Sequence, residues 1–149
     1  MDTTNAINIG FIGFGNMAEA IWVNGSQSGL LTPETTCVCE TNPERESEIG
    51  SRYGLKSVSA KDVVLSSDII LVCIKPQHIQ SLLESLSELS FADKCVVSIL
   101  AGTGTDTFRQ FLGDDIQCIR IMPNTPLMIG HGMTAISALK TVEDRYLDH

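Results

Sequence analysis

Short apolar runs alternate along the chain with turn residues and with longer stretches whose apolar positions recur at helical spacing. Asn8 to Ile12 reads as a first strand, closed by Gly13, and Asn16 to about Ser28 as a helix ending near Gly29. Thr36 to Glu40 reads as a second strand. Pro43 then fits the first turn of a helix and Gly54 its carboxyl-terminal cap. Lys56 to Val58 is a short third strand, followed by a short helix near Ala60 to Leu65. Ile69 to Ile74 is apolar throughout, as expected of a central parallel strand covered on both faces. Ile79, Leu82, Leu83 and Leu86 then mark a helix. Cys95 to Leu100 is a fifth strand, Asp106 to Leu112 a helix stopped by Gly113, and Gln117 to Met122 a sixth strand. Met133 to Ser137 reads as one more strand, and the acidic tail from Thr141 to His149 as the start of a helix. Strands alternating with helices predict a doubly wound α/β domain of Rossmann type: a mainly parallel sheet with helices on both faces.

With 149 residues the chain suits one domain with one core. Its longest apolar runs fall far short of the roughly 20 residues that span a bilayer, so no membrane association is expected. The start, Met1 to Asn5, lacks the basic and apolar segments of a secretory signal. A formal net charge of -8 argues against a general nucleic-acid binder, which needs Lys and Arg to displace counterions. It leaves room for one phosphorylated cofactor, which meets local amides rather than the average charge. Five cysteines, all in stretches that read as strands, predict reduced thiols and a cytoplasmic protein. Cys37 and Cys39 share a strand face, but nothing completes a metal site around them. His78 and His131 have no acid or metal partner in the pattern and read as structural or solvent-facing.

The candidate chemistry begins where the first strand runs into Gly13-Phe14-Gly15-Asn16-Met17-Ala18. This G-x-G-x-x-A turn opens a strand-helix-strand unit, the setting in which it binds a dinucleotide. Gly13 permits the tight turn, Gly15 lets a pyrophosphate approach the backbone, and Ala18 lets the helix pack near the strand. The unpaired amides at the helix start then face the phosphates. After the second strand stand Glu40, Thr41, Asn42 and Arg45. A Glu40 aimed at the ribose hydroxyls would favour NAD. A Glu40 turned aside would leave Thr41, Asn42 and Arg45 to hold the 2′-phosphate of NADP.

Three further segments lie at carboxyl ends of strands, the edge where open α/β sheets bind ligands. They are Cys73-Ile74-Lys75-Pro76, Val97-Ser98-Ile99-Leu100-Ala101-Gly102 and Arg120-Ile121-Met122-Pro123-Asn124-Thr125-Pro126. With Gly10 to Met17, these segments resemble the pyrroline-5-carboxylate reductases, in the correct order from Ile9 to about Ser137. The resemblance implies reduction of the cyclic imine 1-pyrroline-5-carboxylate to L-proline, the last step of proline biosynthesis, by NADP(H) in preference to NAD(H). It implies a cofactor site at Ile12 to Met17, at Thr41 and Asn42, at Cys73 to Pro76 and at Ile99 to Ala101. Ala18, Glu40, Arg45 and Gly102 join that site from the reading of the turn and strand ends. Asn124 and Thr125 would lie near the nicotinamide and the substrate, and no residue of this chain is assigned as catalytic.

Two departures stand out: the family often has a small residue in place of Glu40 and Ala in place of Leu100. The resemblance also implies a second, helical domain that forms a homodimer or higher oligomer and supplies most substrate contacts. Residues 1–138 would then be the dinucleotide-binding domain and 139–149 the start of the connection. Cofactor binding with little turnover is the expectation for the 149-residue chain. Two other readings stand beside this one: a dehydrogenase of the β-hydroxyacid type, which would carry a different loop after the sixth strand, and a non-enzymatic nucleotide sensor.

Overall fold

The structure, a computed structural model, describes residues 6–147. Seven strands form one sheet: β1 (Ile9–Ile12), β2 (Thr36–Cys39), β3 (Lys56–Ser57), β4 (Ile69–Val72), β5 (Cys95–Ser98), β6 (Gln117–Pro123) and β7 (Thr134–Ala138). Their order is β3-β2-β1-β4-β5-β6-β7, parallel except for β7, which pairs antiparallel with β6. Five helices connect them: α1 (Asn16–Gln27), α2 (Pro43–Tyr53), α3 (Ala60–Ser66), α4 (Ile79–Leu86) and α5 (Thr105–Leu112). This is the doubly wound, mainly parallel architecture expected from the sequence.

Strand alternation divides the apolar side chains between two cores. Phe11, Val38 and Leu71 face one side, where Phe14, Ala18 and Trp22 of the first strand-helix unit and Ile49 of α2 close over them. Ile12, Ile70, Val72 and Val96 face the other, against Val63 and Val64 of α3, Leu83 and Leu86 of α4, and Phe108 of α5. Each fully buried side chain of this size contributes roughly 1.5–3 kcal/mol. Gly10 lies where a Cβ would collide with Val63 and Ser67, so α3 can sit directly on β1.

Local signals fix the helix ends. Asn42 caps α2, its Oδ1 accepting from the amides of Glu44 and Arg45 at 3.0 and 3.3 Å. Gly54 closes the same helix with φ +68°. Ser59 caps α3 through the Asp62 amide.

Several strands end earlier than the apolar runs imply. β4 stops at Val72, so Cys73 lies just past a strand rather than in one. β5 stops at Ser98, whose Oγ accepts from the amide of Leu100 and turns the chain out of the sheet. Short 3-10 turns stand at Pro33–Thr35, Pro76–His78 and Thr125–Ile129. Within the tail, the described residues hold only a 3-10 turn, Asp144–Tyr146. Residues 148–149 of that expected helix lie outside the described residues. Residues 139–147 pack back on the domain: Leu139, Val142 and Tyr146 cover Cys95 and Ile119. No helix among the described residues is long and apolar enough to cross a membrane.

Candidate functional site

A cleft of about 600 Å³ opens at the carboxyl ends of β1, β2 and β4. The chain leaves β1 for β2 on one side and later returns to β4 on the other, so the cleft lies at the point where strand order reverses. That crevice is where open α/β sheets take their ligands. Its walls come from Ile12 to Gly15, from Cys39 to Thr41, and from Cys73 to Lys75. Ala60 of α3 and His78, Ser81, Leu82 and Ser85 complete it.

The two turn glycines do different things. Gly13 has φ +85°, and its amide donates to Cys39 O at 2.8 Å. A Cβ there would stand 2.9 Å from Cys73 O. Gly15 has an ordinary φ of -78° and no atom within 4 Å of where its Cβ would be. Neither backbone nor packing requires glycine at Gly15, and its missing side chain leaves open space at the cleft wall. It is also the first cap of α1, which no side chain caps. The first-turn amides of Asn16, Met17 and Ala18 therefore have no partner within the helix. Room and unpaired donors at one helix start fit the pyrophosphate of a dinucleotide. Ala18 is buried, as its packing task requires, and Phe14 turns its ring into the core edge-to-face with Phe11, leaving its backbone at the cleft.

At the end of β2, Glu40 lies in the cleft wall and binds backbone. Its Oε1 accepts from the amides of Thr41 and Asn42 at 2.8 and 3.0 Å, and its Oε2 from that of Phe14 at 3.2 Å. Thr41 lines the cleft beside it, whereas the Asn42 side-chain oxygen is used in capping α2. Arg45 does not line the cleft. Its guanidinium pairs with Glu19 and Glu48, both at 2.7 Å, and donates to Phe14 O at 3.2 Å. The sequence leaves Arg45 open to a 2′-phosphate, and in the fold it joins α2 to α1. Burial, and then the charges of Glu40 and Glu46, push the Cys39 thiol up, as an electronegative strand end would.

The loop after β4 supplies Cys73, Ile74 and Lys75 to the cleft, while Pro76 starts the following 3-10 turn. Burial pushes the Cys73 thiol well above its ordinary range. Ile99 to Gly102 lie on the same sheet edge after the next strand, outside this cleft. Ala101 and Gly102 are exposed, while Leu100 is buried among the α4 and α5 side chains. The bulk of Leu100 is therefore absorbed by the core and does not reach the site. Asn124 and Thr125 are exposed beyond β6. Asn124 clamps its loop, its amide donating to Met133 O at 3.2 Å and its Oδ1 accepting from the Met133 amide at 2.9 Å. Asn24 of α1 holds the same loop by donating to Leu127 O at 2.8 Å.

The sequence reading omitted the α4 wall. His78, Ser81 and Ser85 recur at helical spacing opposite Ile79, Leu83 and Leu86, so the polar stripe was visible as the complement of the apolar one. His78 is exposed, as expected, but at the cleft.

Sheet order, glycine turn and cleft define a Rossmann-type dinucleotide-binding domain. Residues 8–102 match the family model described as NADP oxidoreductase, coenzyme F420-dependent, and the chain belongs to that family. It is 37% identical over 139 residues to the pyrroline-5-carboxylate reductase of Escherichia coli K12, covering 91% of this chain and 52% of that protein. Among solved structures, that of a pyrroline-5-carboxylate reductase from Coxiella burnetii superposes with a TM-score of 0.90 at 29% identity, over 97% of this chain and 54% of that one. The Plasmodium falciparum pyrroline carboxylate reductase, solved with NADP bound, shares the fold with a TM-score of 0.81 at 22% identity, over 95% of this chain and 52% of that one. The chain thus spans about half the length of the relatives it matches.

Proposed function

We propose that the chain is the dinucleotide-binding part of a pyrroline-5-carboxylate reductase that reduces 1-pyrroline-5-carboxylate to L-proline with a nicotinamide cofactor. The observation that carries this reading is the 37% identity to the Escherichia coli enzyme over 91% of this chain. The strand-end segments agree with it, and the NADP in the Plasmodium falciparum structure supports a dinucleotide at the shared fold.

When bound, the reduced nicotinamide supplies the hydride for the C=N carbon. The residues of this chain bind and align. Gly13, Gly15 and the uncapped start of α1 hold the pyrophosphate; Glu40 and Thr41 meet a ribose; Cys73 to Pro76 and Ile99 to Gly102 follow the sheet edge towards Asn124 and Thr125. Alignment of donor and acceptor and exclusion of water are the main demands of such a transfer. The exposed Asn124 and Thr125 exclude no water by themselves.

In this reading residues 1–138 are the dinucleotide-binding domain, and 139–149 lead to a helical domain that closes the substrate site and forms a homodimer or higher oligomer. Exposed Met122, Met128, Ile129, Met133 and Ile136 give that domain an apolar surface to cover. The protein works in the cytoplasm, without nucleic acid or membrane, in keeping with its free thiols and net charge of -8. The chemistry is tested on the protein that carries this chain, with 1-pyrroline-5-carboxylate and a panel of β-hydroxyacids. Oxidation of reduced nicotinamide driven by the imine alone is expected; turnover of the hydroxyacids alone would replace this reading. The 149-residue chain by itself is expected to bind nucleotide with little or no turnover.

A further inference from the structure

We propose that Glu40 is a specificity residue that sets this site against a 2′-phosphate and shifts its choice of nucleotide towards NADH. The inference rests on the dinucleotide reading above. The Glu40 carboxylate lies in the cleft wall at the end of β2, the position from which this class of fold addresses the adenosine ribose. Three amides, those of Phe14, Thr41 and Asn42, hold it there. Those donors would otherwise be free for a phosphate, and a carboxylate already occupies them.

No free cation stands in the loop after β2 to compensate. Arg45 is the one cation between Glu40 and Glu46, and it is bound to Glu19, Glu48 and Phe14 O. The start of α2 is spent as well. Asn42 Oδ1 takes the amides of Glu44 and Arg45, and Glu44 and Glu46 add negative charge to that first turn. The cation that does line the cleft, Lys75, comes from the loop after β4. A 2′-phosphate would therefore meet the Glu40 carboxylate where it needs a free cation. A ribose hydroxyl would donate to it instead, because Glu40 Oε2 accepts only one long bond, at 3.2 Å, and can take another.

The test is a titration of the chain and of its Glu40→Ser and Glu40→Gln variants with NADH and NADPH, followed by heat or nicotinamide fluorescence. The quantity read is the ratio of the two dissociation constants. Loss of folded protein weakens both nucleotides alike and leaves that ratio unchanged. Both variants are expected to move the ratio towards NADPH, Glu40→Ser by about tenfold or more, the scale of removing one like charge near a phosphate. A ratio unmoved by both variants would overturn the inference while leaving the dinucleotide site intact. Failure of the unmodified chain to bind either nucleotide would overturn the dinucleotide site itself and this inference with it.

Discussion

Two glycines, two residues apart, offer a clean separation of fold from function. Gly13 needs its φ of +85° and has Cys73 O where a Cβ would go. Gly15 needs neither. Gly13→Ala is therefore expected to destabilise the chain by about 1–3 kcal/mol through backbone strain and contact. Gly15→Ala is expected to stay within about 1 kcal/mol of the parent, since a slightly poorer helix cap offsets a less flexible unfolded chain. Yet Gly15→Ala should weaken nucleotide binding at least about tenfold, because the methyl fills space meant for the pyrophosphate. Urea unfolding and nucleotide titration of both variants check this, and equal binding by Gly15→Ala would remove the ligand from that wall. Both roles were legible in the motif itself. The placement of Glu40 and Arg45 was not, because sequence spacing gives a side chain's reach but not which of several partners it takes. Arg45 had Glu19 within range only once α1 and α2 had packed.

Those two helices are joined by a single polar cluster. Glu19 of α1 accepts from Tyr53 and pairs with Arg45 at 2.7 Å and Arg52 at 3.2 Å, all three on α2. Burial raises the Glu19 carboxyl, but the Tyr53 bond and the two arginines outweigh it and hold the group below its usual value. A folded pKa below the unfolded one stabilises the protein above the unfolded value of 4.5, and that contribution fades as pH falls through the folded value. Glu19→Ala is expected to cost about 1–3 kcal/mol near neutral pH, as for hydrogen bonds to a charged group. The difference between parent and variant should shrink on acidification from about pH 6 to about pH 3. Urea midpoints across that range measure it, and a pH-independent difference would mean that packing, not charge, is lost. At this scale the sequence spoke clearly: buried parallel strands read as continuous apolar runs, and Pro43, Gly54 and Gly113 punctuate their helices. The 3-10 turns at Pro33–Thr35 and Thr125–Ile129 escaped notice, since a single turn is too short to display a period. The tail escaped too. Its acidic stretch read as the start of a helix, but Leu139 and Val142 are drawn back over Cys95 and Ile119 by tertiary burial.

For the whole molecule the sheet divides the interior, and the cleft opens where both layers reach the switch point. Its walls include the start of α1 from one layer and α3 and α4 from the other. A ligand held there touches both layers, so its binding energy bears on unfolding of the whole domain rather than on one loop. The thiols report the same event. Cys95 and Cys118 are pushed up to about 12 by burial, and Cys73 is also raised by burial. The nucleophilic thiolate is therefore scarce at all three in the folded state. Near pH 8 the buried Cys95 and Cys118 should resist a thiol reagent and label only as the chain unfolds, whereas Cys73 is half-buried at the cleft wall. NADH at about 100 times its dissociation constant should add about 2.7 kcal/mol to stability. For a domain of this size that raises Tm by about 5–11 °C. The same addition should slow labelling of Cys95 and Cys118 together, because both become accessible only when the sheet opens. Mass spectrometry of the labelled sites, with and without nucleotide, measures it. A higher Tm with labelling of Cys95 and Cys118 unchanged would show that the two thiols are reached by local openings that the ligand does not control. No change in either would show that the folded chain does not bind the nucleotide.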